Sequence, residues 1–146
     1  MSLEGEIFTA IRNTLKGDAT LLALVGASAN NIRHSYANFE FDVPCVTFHP
    51  ITIPPDSDYD RYGKFLMQVQ LNVFDLNNST GVTNTRNIEE RIDALLYEQN
   101  FTTTSYEVKH IRHSGWTPVP TEYVKEGETI IHAFSDWELR VYKKSA

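Results

Sequence analysis

An α+β fold is predicted: an antiparallel β-sheet with two main α-helices packed on one face, as a single domain over residues 1–146. Three observations predict it. Two stretches far apart in the chain carry apolar residues at helical spacing: Ile7, Phe8, Ile11 and Leu15, then Ile88, Ile92, Leu95 and Leu96. Between them, Phe65, Met67, Val69, Leu71 and Val73 alternate with Leu66, Gln68, Gln70 and Asn72, the period of two of a strand with one polar face. The remaining apolar runs are short or strand-like and are joined by turn residues, so helices segregate to one side of a sheet rather than alternating with strands.

The elements follow in order. The first helix ends at Gly17, and Asp18 can cap a short second helical turn holding Leu21, Leu22, Leu24 and Val25, which Gly26 ends. Ser28 to Asn31 reads as a loop. Ile32 to Tyr36 reads as a short strand and Val43 to Phe48 as another, with Pro44 at a strand start that tolerates a missing donor. Ile51 to Tyr62 holds Pro54, Pro55, three Asp and two Tyr, a composition that predicts an extended arm or long hairpin end. The polar face of the 65–73 strand is expected to meet solvent or an interface.

Past Asn77 to Gly81 comes the second main helix, starting between Ser79 and Asn87; Asn87 with Glu90 offers a capping arrangement. Tyr106 to His113 reads as a strand and Gly115 to Gly127 as a loop. A closing strand runs from about Glu128 to Tyr142. It is longer than a usual strand, which predicts a bulge or bend near Ser135 and Asp136.

Composition narrows the function. With 146 residues, 41% of them hydrophobic, the chain can bury about two thirds of its unfolded surface around one core without staples. No apolar run approaches the roughly 18 residues of a membrane helix, and the start of the chain lacks the basic and apolar parts of a secretory leader. Thirteen Lys and Arg against nineteen Asp and Glu give a net charge of −6, which argues against binding nucleic acid by neutralising phosphates. The single cysteine, Cys45, excludes an internal disulfide and a multi-thiolate zinc site; within Val43 to Val46 it reads as a small buried hydrophobe.

Chemistry-bearing motifs are weak. The acceptor patterns at Asn77, Asn78 and Asn100 read as chance matches, and the seven scattered glycines form no phosphate loop. Asp56, Asp58 and Asp60 lack the glycine and closing Glu of a calcium loop. His110 and His113, three apart on a regular strand, point to opposite faces and make no metal shell. No catalytic residue, cofactor or metal is therefore expected. Aromatics in the two long loops carry more information, since Tyr and Trp are enriched in protein contacts. They give Pro54, Tyr59, Arg61, Trp116 and Tyr123 as candidate interface residues, with loops folding back on their own sheet as the plainer alternative.

This order of signals resembles the small tailed-bacteriophage tail-completion, tail-terminator or head–tail joining proteins. The residues that carry the resemblance are the N-terminal helix; Asp18 with Leu21, Leu24, Val25 and Gly26; Ile32 to Tyr36; and Val43-Pro44-Cys45-Val46-Thr47-Phe48. The alternating strand, the helix ending near Tyr97 and the closing strand from Phe134 to Tyr142 complete it. Two departures are Cys45, where such proteins often carry an aromatic after the proline, and the long segment from Gly115 to Gly127.

The resemblance implies a non-enzymatic structural subunit that assembles with itself into a ring, expected to be hexameric. The ring would cap the tail tube, meet neck or head-completion proteins, and let DNA pass through its lumen without specific binding. Its expected location is the virion tail, and the host cytoplasm during assembly. Two other readings stay open: a small enzyme whose His and carboxylate are brought together only by the fold, and a generic adaptor domain. A concave pocket placing His34, His110 or His132 within hydrogen-bond reach of a carboxylate would favour the enzyme.

Overall fold

The computed structural model describes residues 3–34, 43–52, 64–119, 124–125 and 127–144. Helix α1 spans Leu3–Lys16, and its stripe of Ile7, Phe8, Ile11 and Leu15 is fully buried. It stops where Gly17 donates its N–H to the Asn13 carbonyl at 3.0 Å. Helix α2, Ala19–Leu24, is capped by the Asp18 carboxylate, which accepts from the Leu21 N–H at 2.8 Å. Gly26 follows at φ +79°, as the sequence leads one to expect of a helix stop.

A 3-10 turn, Ala29–Asn31, leads into strand β1, Ile32–His34. Strand β2 is Cys45–Thr52 and β3 is Lys64–Leu76, both longer than their apolar signals. Helix α3 is Ser79–Leu96. It begins at the early end of the expected range, because the Asn78 side chain accepts from the Gly81 N–H at 2.8 Å and so caps it in place of Asn87. The remaining strands are β4 (Phe101–Thr102), β5 (Tyr106–His113), β6 (Thr117–Val119), β7 (Val124–Lys125) and β8 (Glu128–Lys143).

The sheet order is β1-β2-β3-β8-β5-β4, with β6 and β7 also paired to β8. It is α+β as predicted, but mixed rather than antiparallel throughout: β1 runs parallel to β2, with Ile32 opposite Val46 and His34 opposite Phe48. No helical signal separates the two strands in sequence, so nothing marked a parallel crossover.

The expected irregularity in β8 takes a different form. Its register against β3 is unbroken from Lys64 opposite Tyr142 to Leu76 opposite Ile130, so no bulge interrupts that edge at Ser135 or Asp136. Along its other edge β8 has three partners in series: β7 opposite Glu128 and Thr129, β6 opposite His132 to Phe134, then β5 from Trp137 to Lys143. Its length comes from serving them all. The segment expected to be loop from Gly115 to Gly127 thus contributes two short strands, while the register shift lies in β5, between Lys109 and Arg112. There His110 takes φ +52°, a left-handed conformation uncommon for histidine.

Alternation in the strands divides the sheet into two faces. Val46 and Phe48 of β2, Met67, Val69, Leu71 and Val73 of β3, and Trp137, Leu139 and Val141 of β8 face the helices and join the α1 stripe and Ile88, Ile92 and Leu96 of α3 in one core. Fully burying each such side chain is worth about 1.5–3 kcal/mol. Cys45, Phe74 and Ile130 form a smaller buried cluster on the opposite face, consistent with the inert role read for Cys45.

Candidate functional site

One cluster of polar side chains gathers where β8 changes partner, around the buried Ser135. Ser135 and Asp136 lie between the β6 pairing, which ends opposite Phe134, and the β5 pairing, which resumes opposite Trp137. The turn Ser114 to Trp116 crosses that gap, with Gly115 at φ +128°, a conformation that favours glycine. A cavity of about 440 Å³ opens beside it, lined by Tyr97, Arg112, His113, Ser114, Asp136 and Glu138 among others.

His113 is the hub. Its Nε2 lies 2.8 Å from Asp93 Oδ1 near the C-terminus of α3, and its Nδ1 accepts from the Gly115 N–H at 3.1 Å. The Ser135 Oγ sits 2.6 Å from the same Nδ1 and 2.9 Å from the Gly115 carbonyl. The imidazole stacks on Trp137 at 4.1 Å, with Tyr97 and Trp116 edge-on to it. Because Nδ1 accepts from a backbone amide, the neutral ring carries its proton on Nε2 and donates it to Asp93.

Serine, histidine and aspartate in line are the parts of a nucleophilic triad, yet the arrangement is not built for attack. Ser135 is only 1% exposed and does not line the cavity, so a substrate carbonyl has no route to its Oγ. What the arrangement forms is a hydrogen-bond network that ties the β5–β6 turn to α3 and β8.

Trp116, a predicted interface residue, is half-buried and donates its indole N–H to Asp93 Oδ1 at 3.0 Å. Its ring packs edge-on to Trp137 at 6.4 Å. That is the fold-back alternative for a loop aromatic. Pro54, Tyr59, Arg61 and Tyr123 lie outside the described residues.

None of the three histidines singled out by sequence meets a carboxylate inside this cavity. His34 Nε2 is 3.3 Å from Glu4 Oε1, but both side chains are about a third exposed, and the ring belongs to a cluster of three near-parallel rings, 4.1 Å from Phe8 and 5.6 Å from Phe48, which lie 5.7 Å from each other. His110 sits exposed in the β5 bulge. His132 donates its Nε2–H to Asn72 Oδ1 at 2.8 Å and is stacked on Phe74 at 4.4 Å. The other end of that amide, Asn72 Nδ2, reaches His49 Nδ1 at 3.4 Å, making a row of three polar side chains across β2, β3 and β8. Burial, and then the neighbouring His49, push the His132 imidazole down from 6.5 to about 4. Burial likewise lowers His49, against the opposing pull of Asp136. Among the described residues no three His, Cys, Asp or Glu side chains converge as metal ligands.

Sequence reasoning missed His113 because it assumed a regular strand from Tyr106 to His113. The bulge resets the alternation after Lys109, and no residue pattern announced it.

No protein-family model matches the chain, and no curated protein sequence does. Among solved structures, a chain described as belonging to the virion of a native gene transfer agent particle is similar in fold, with a TM-score of 0.67 at 14% sequence identity. The correspondence covers 99% of this chain and 98% of that one, so the likeness in fold runs the length of both.

Proposed function

We propose that the chain is a structural subunit of a phage-like particle, a tail terminator or head–tail joining protein that assembles into a ring. The observation that carries this reading is the end-to-end likeness to a gene transfer agent virion chain, found independently of the residue order that suggested the same class. In this reading the chain acts as one tail-terminator-like domain and a hexamer caps the tail tube. Its far surface meets a neck or head-completion protein, and DNA crosses the lumen. A net charge of −6 suits a lumen that DNA must cross without being held. Exposed Ile51 and Leu66, on the sheet face away from the helices, supply apolar surface of the kind found in protein contacts. The buried Ser135 weighs against the enzyme reading.

The test is assembly. Mixed with its cognate tail tubes, the protein should form six-fold rings at tube ends in negative stain, even if it is monomeric alone. Removing residues 53–62 should leave the fold intact, since β2 and β3 pair from Cys45 opposite Phe74 to Thr52 opposite Gln68, and should abolish capping. Tubes that stay uncapped with the full-length chain, or mature normally with the shortened one, would overturn the assignment or the role given to the arm, respectively.

A further inference from the structure

We propose that the open end of the sheet face turned away from the helices is a docking surface for a second copy of this chain, laid over it antiparallel about a two-fold axis. Trp137, Leu139 and Val141 of β8 point into the core, so Glu138 and Arg140 between them point to this face. Arg140 stands between Leu66 of β3 and Lys109 of β5, a cation directly opposite a cation. Glu138 stands between Gln68 and Arg112, but the Arg112 guanidinium is taken by Glu98. The charged neighbours are satisfied within the chain. Lys109 pairs with Glu107 at 3.6 Å and, with Lys64, sits over the Tyr142 ring, while Asp136 accepts from Gln70 at 3.0 Å. Glu138 and Arg140 are both exposed, and among the described residues no hydrogen bond or ion pair holds either.

A second copy supplies what this one lacks. Its β8, face to face and running the opposite way, puts its Glu138 over Arg140 and its Arg140 over Glu138, so one contact made twice settles both charges. Leu66 and Ile51, 42% and 47% exposed, flank the pair and give the contact its apolar part. Ile51 lines the cavity together with Gln68 and Glu138, which places it on the same face. The far end of this face takes no part, because Cys45, Asn72, Phe74 and Ile130 there are buried. From Asp136 to Tyr142, and across from β2 to β5, the open strip measures about 20 by 15 Å, or on the order of 300 Å² a side. A standing complex buries about 800 Å² a side, so this pair is weak and forms when the protein is concentrated. It does not rest on the virion reading: a two-fold contact joins copies in pairs and leaves the closing of a ring to other surfaces.

Sedimentation equilibrium of the full chain tests it. The wild type should show a monomer–dimer equilibrium with a dissociation constant on the order of 0.1 mM, weakened by added salt. Glu138→Arg and Arg140→Glu each set like charges face to face twice in a pair, and each alone should raise that constant about tenfold. An equimolar mixture of the two variants should associate like the wild type, because every Arg then meets a Glu of the other chain. Misfolding in either variant could not produce that recovery. A wild type still monomeric at about 1 mM, single variants that pair as well as the wild type, or a mixture that fails to recover would each overturn the pairing; the first would leave the face to a different protein.

Discussion

Replacing His132 by glutamine should flatten the dependence of stability on pH. In the folded chain this ring takes a proton only near pH 4, against 6.5 when free, because it is partly buried beside Phe74 and coupled to His49 through Asn72. The sign is fixed by which state binds the proton. Well above 6.5 both states hold a neutral ring and its contribution is fully present; as the pH falls, the unfolded chain is protonated first, and stability drains away until the folded ring titrates too. At about 1.4 kcal/mol per unit, the loss between about pH 7.5 and about pH 5 comes to roughly 2 kcal/mol. Water at the exposed part of the ring screens this to about 1–1.5 kcal/mol. Glutamine cannot titrate, yet its amide can still donate to Asn72 Oδ1. Urea unfolding of both proteins across this range is the assay, and the wild type should lose about 1 kcal/mol more than His132→Gln. Parallel curves, or a ring seen by resonance to titrate at its ordinary value, would refute the reasoning.

Gly81→Ala should destabilise the chain by about 3 kcal/mol, because a Cβ there would lie 1.9 Å from the Leu76 carbonyl oxygen and the backbone must move; a thermal melt checks it, and an unshifted midpoint counts against the close approach. Asp18→Ala should cost about 1 kcal/mol through the lost α2 cap, with more from the stranded Arg91 that it grips through both oxygens at 2.7 and 2.8 Å; Asp18→Asn, which can still cap, should recover most of the loss in urea. The Arg91 guanidinium holds the Asp18 carboxyl below its ordinary 3.8, so the gap between wild type and Asp18→Asn should be full at neutral pH and close as acid protonates the carboxylate. Trp116→Phe should cost about 1 kcal/mol by removing the indole N–H from Asp93, and should leave the far-ultraviolet circular dichroism unchanged.

The parts of this fold that show in the sequence are those where one local rule acts alone. The α1 stripe, the Asp18 cap and the alternation of β3 each follow from spacing within a few residues, and each is found in place. The start of α3 is harder to see because its first turns are Ser, Thr, Gly and Asn, poor helix formers that Asn78 and the sheet below hold in register. Long-range facts leave no local trace: the parallel pairing of β1, the division of one β8 edge among three strands, and the β5 bulge depend on residues far apart. The site is illegible for that last reason. Asp93, His113 and Ser135 come from three separate elements, and only the bulge turns His113 toward the other two.

Strand β8 also sets the timetable of folding. It supplies the neighbour to β3, β5, β6 and β7, and it comes last in the order of elements. On the ribosome, Lys64 must wait for Tyr142 and Leu76 for Ile130, so β3 is made with one edge bare and stays so until the final strand emerges. Pairings so distant in sequence close slowly. Meanwhile α1, α2 and the β2–β3 hairpin can already gather, which leaves an open strand edge on a half-built core as the species most exposed to aggregation or to capture by another nascent copy.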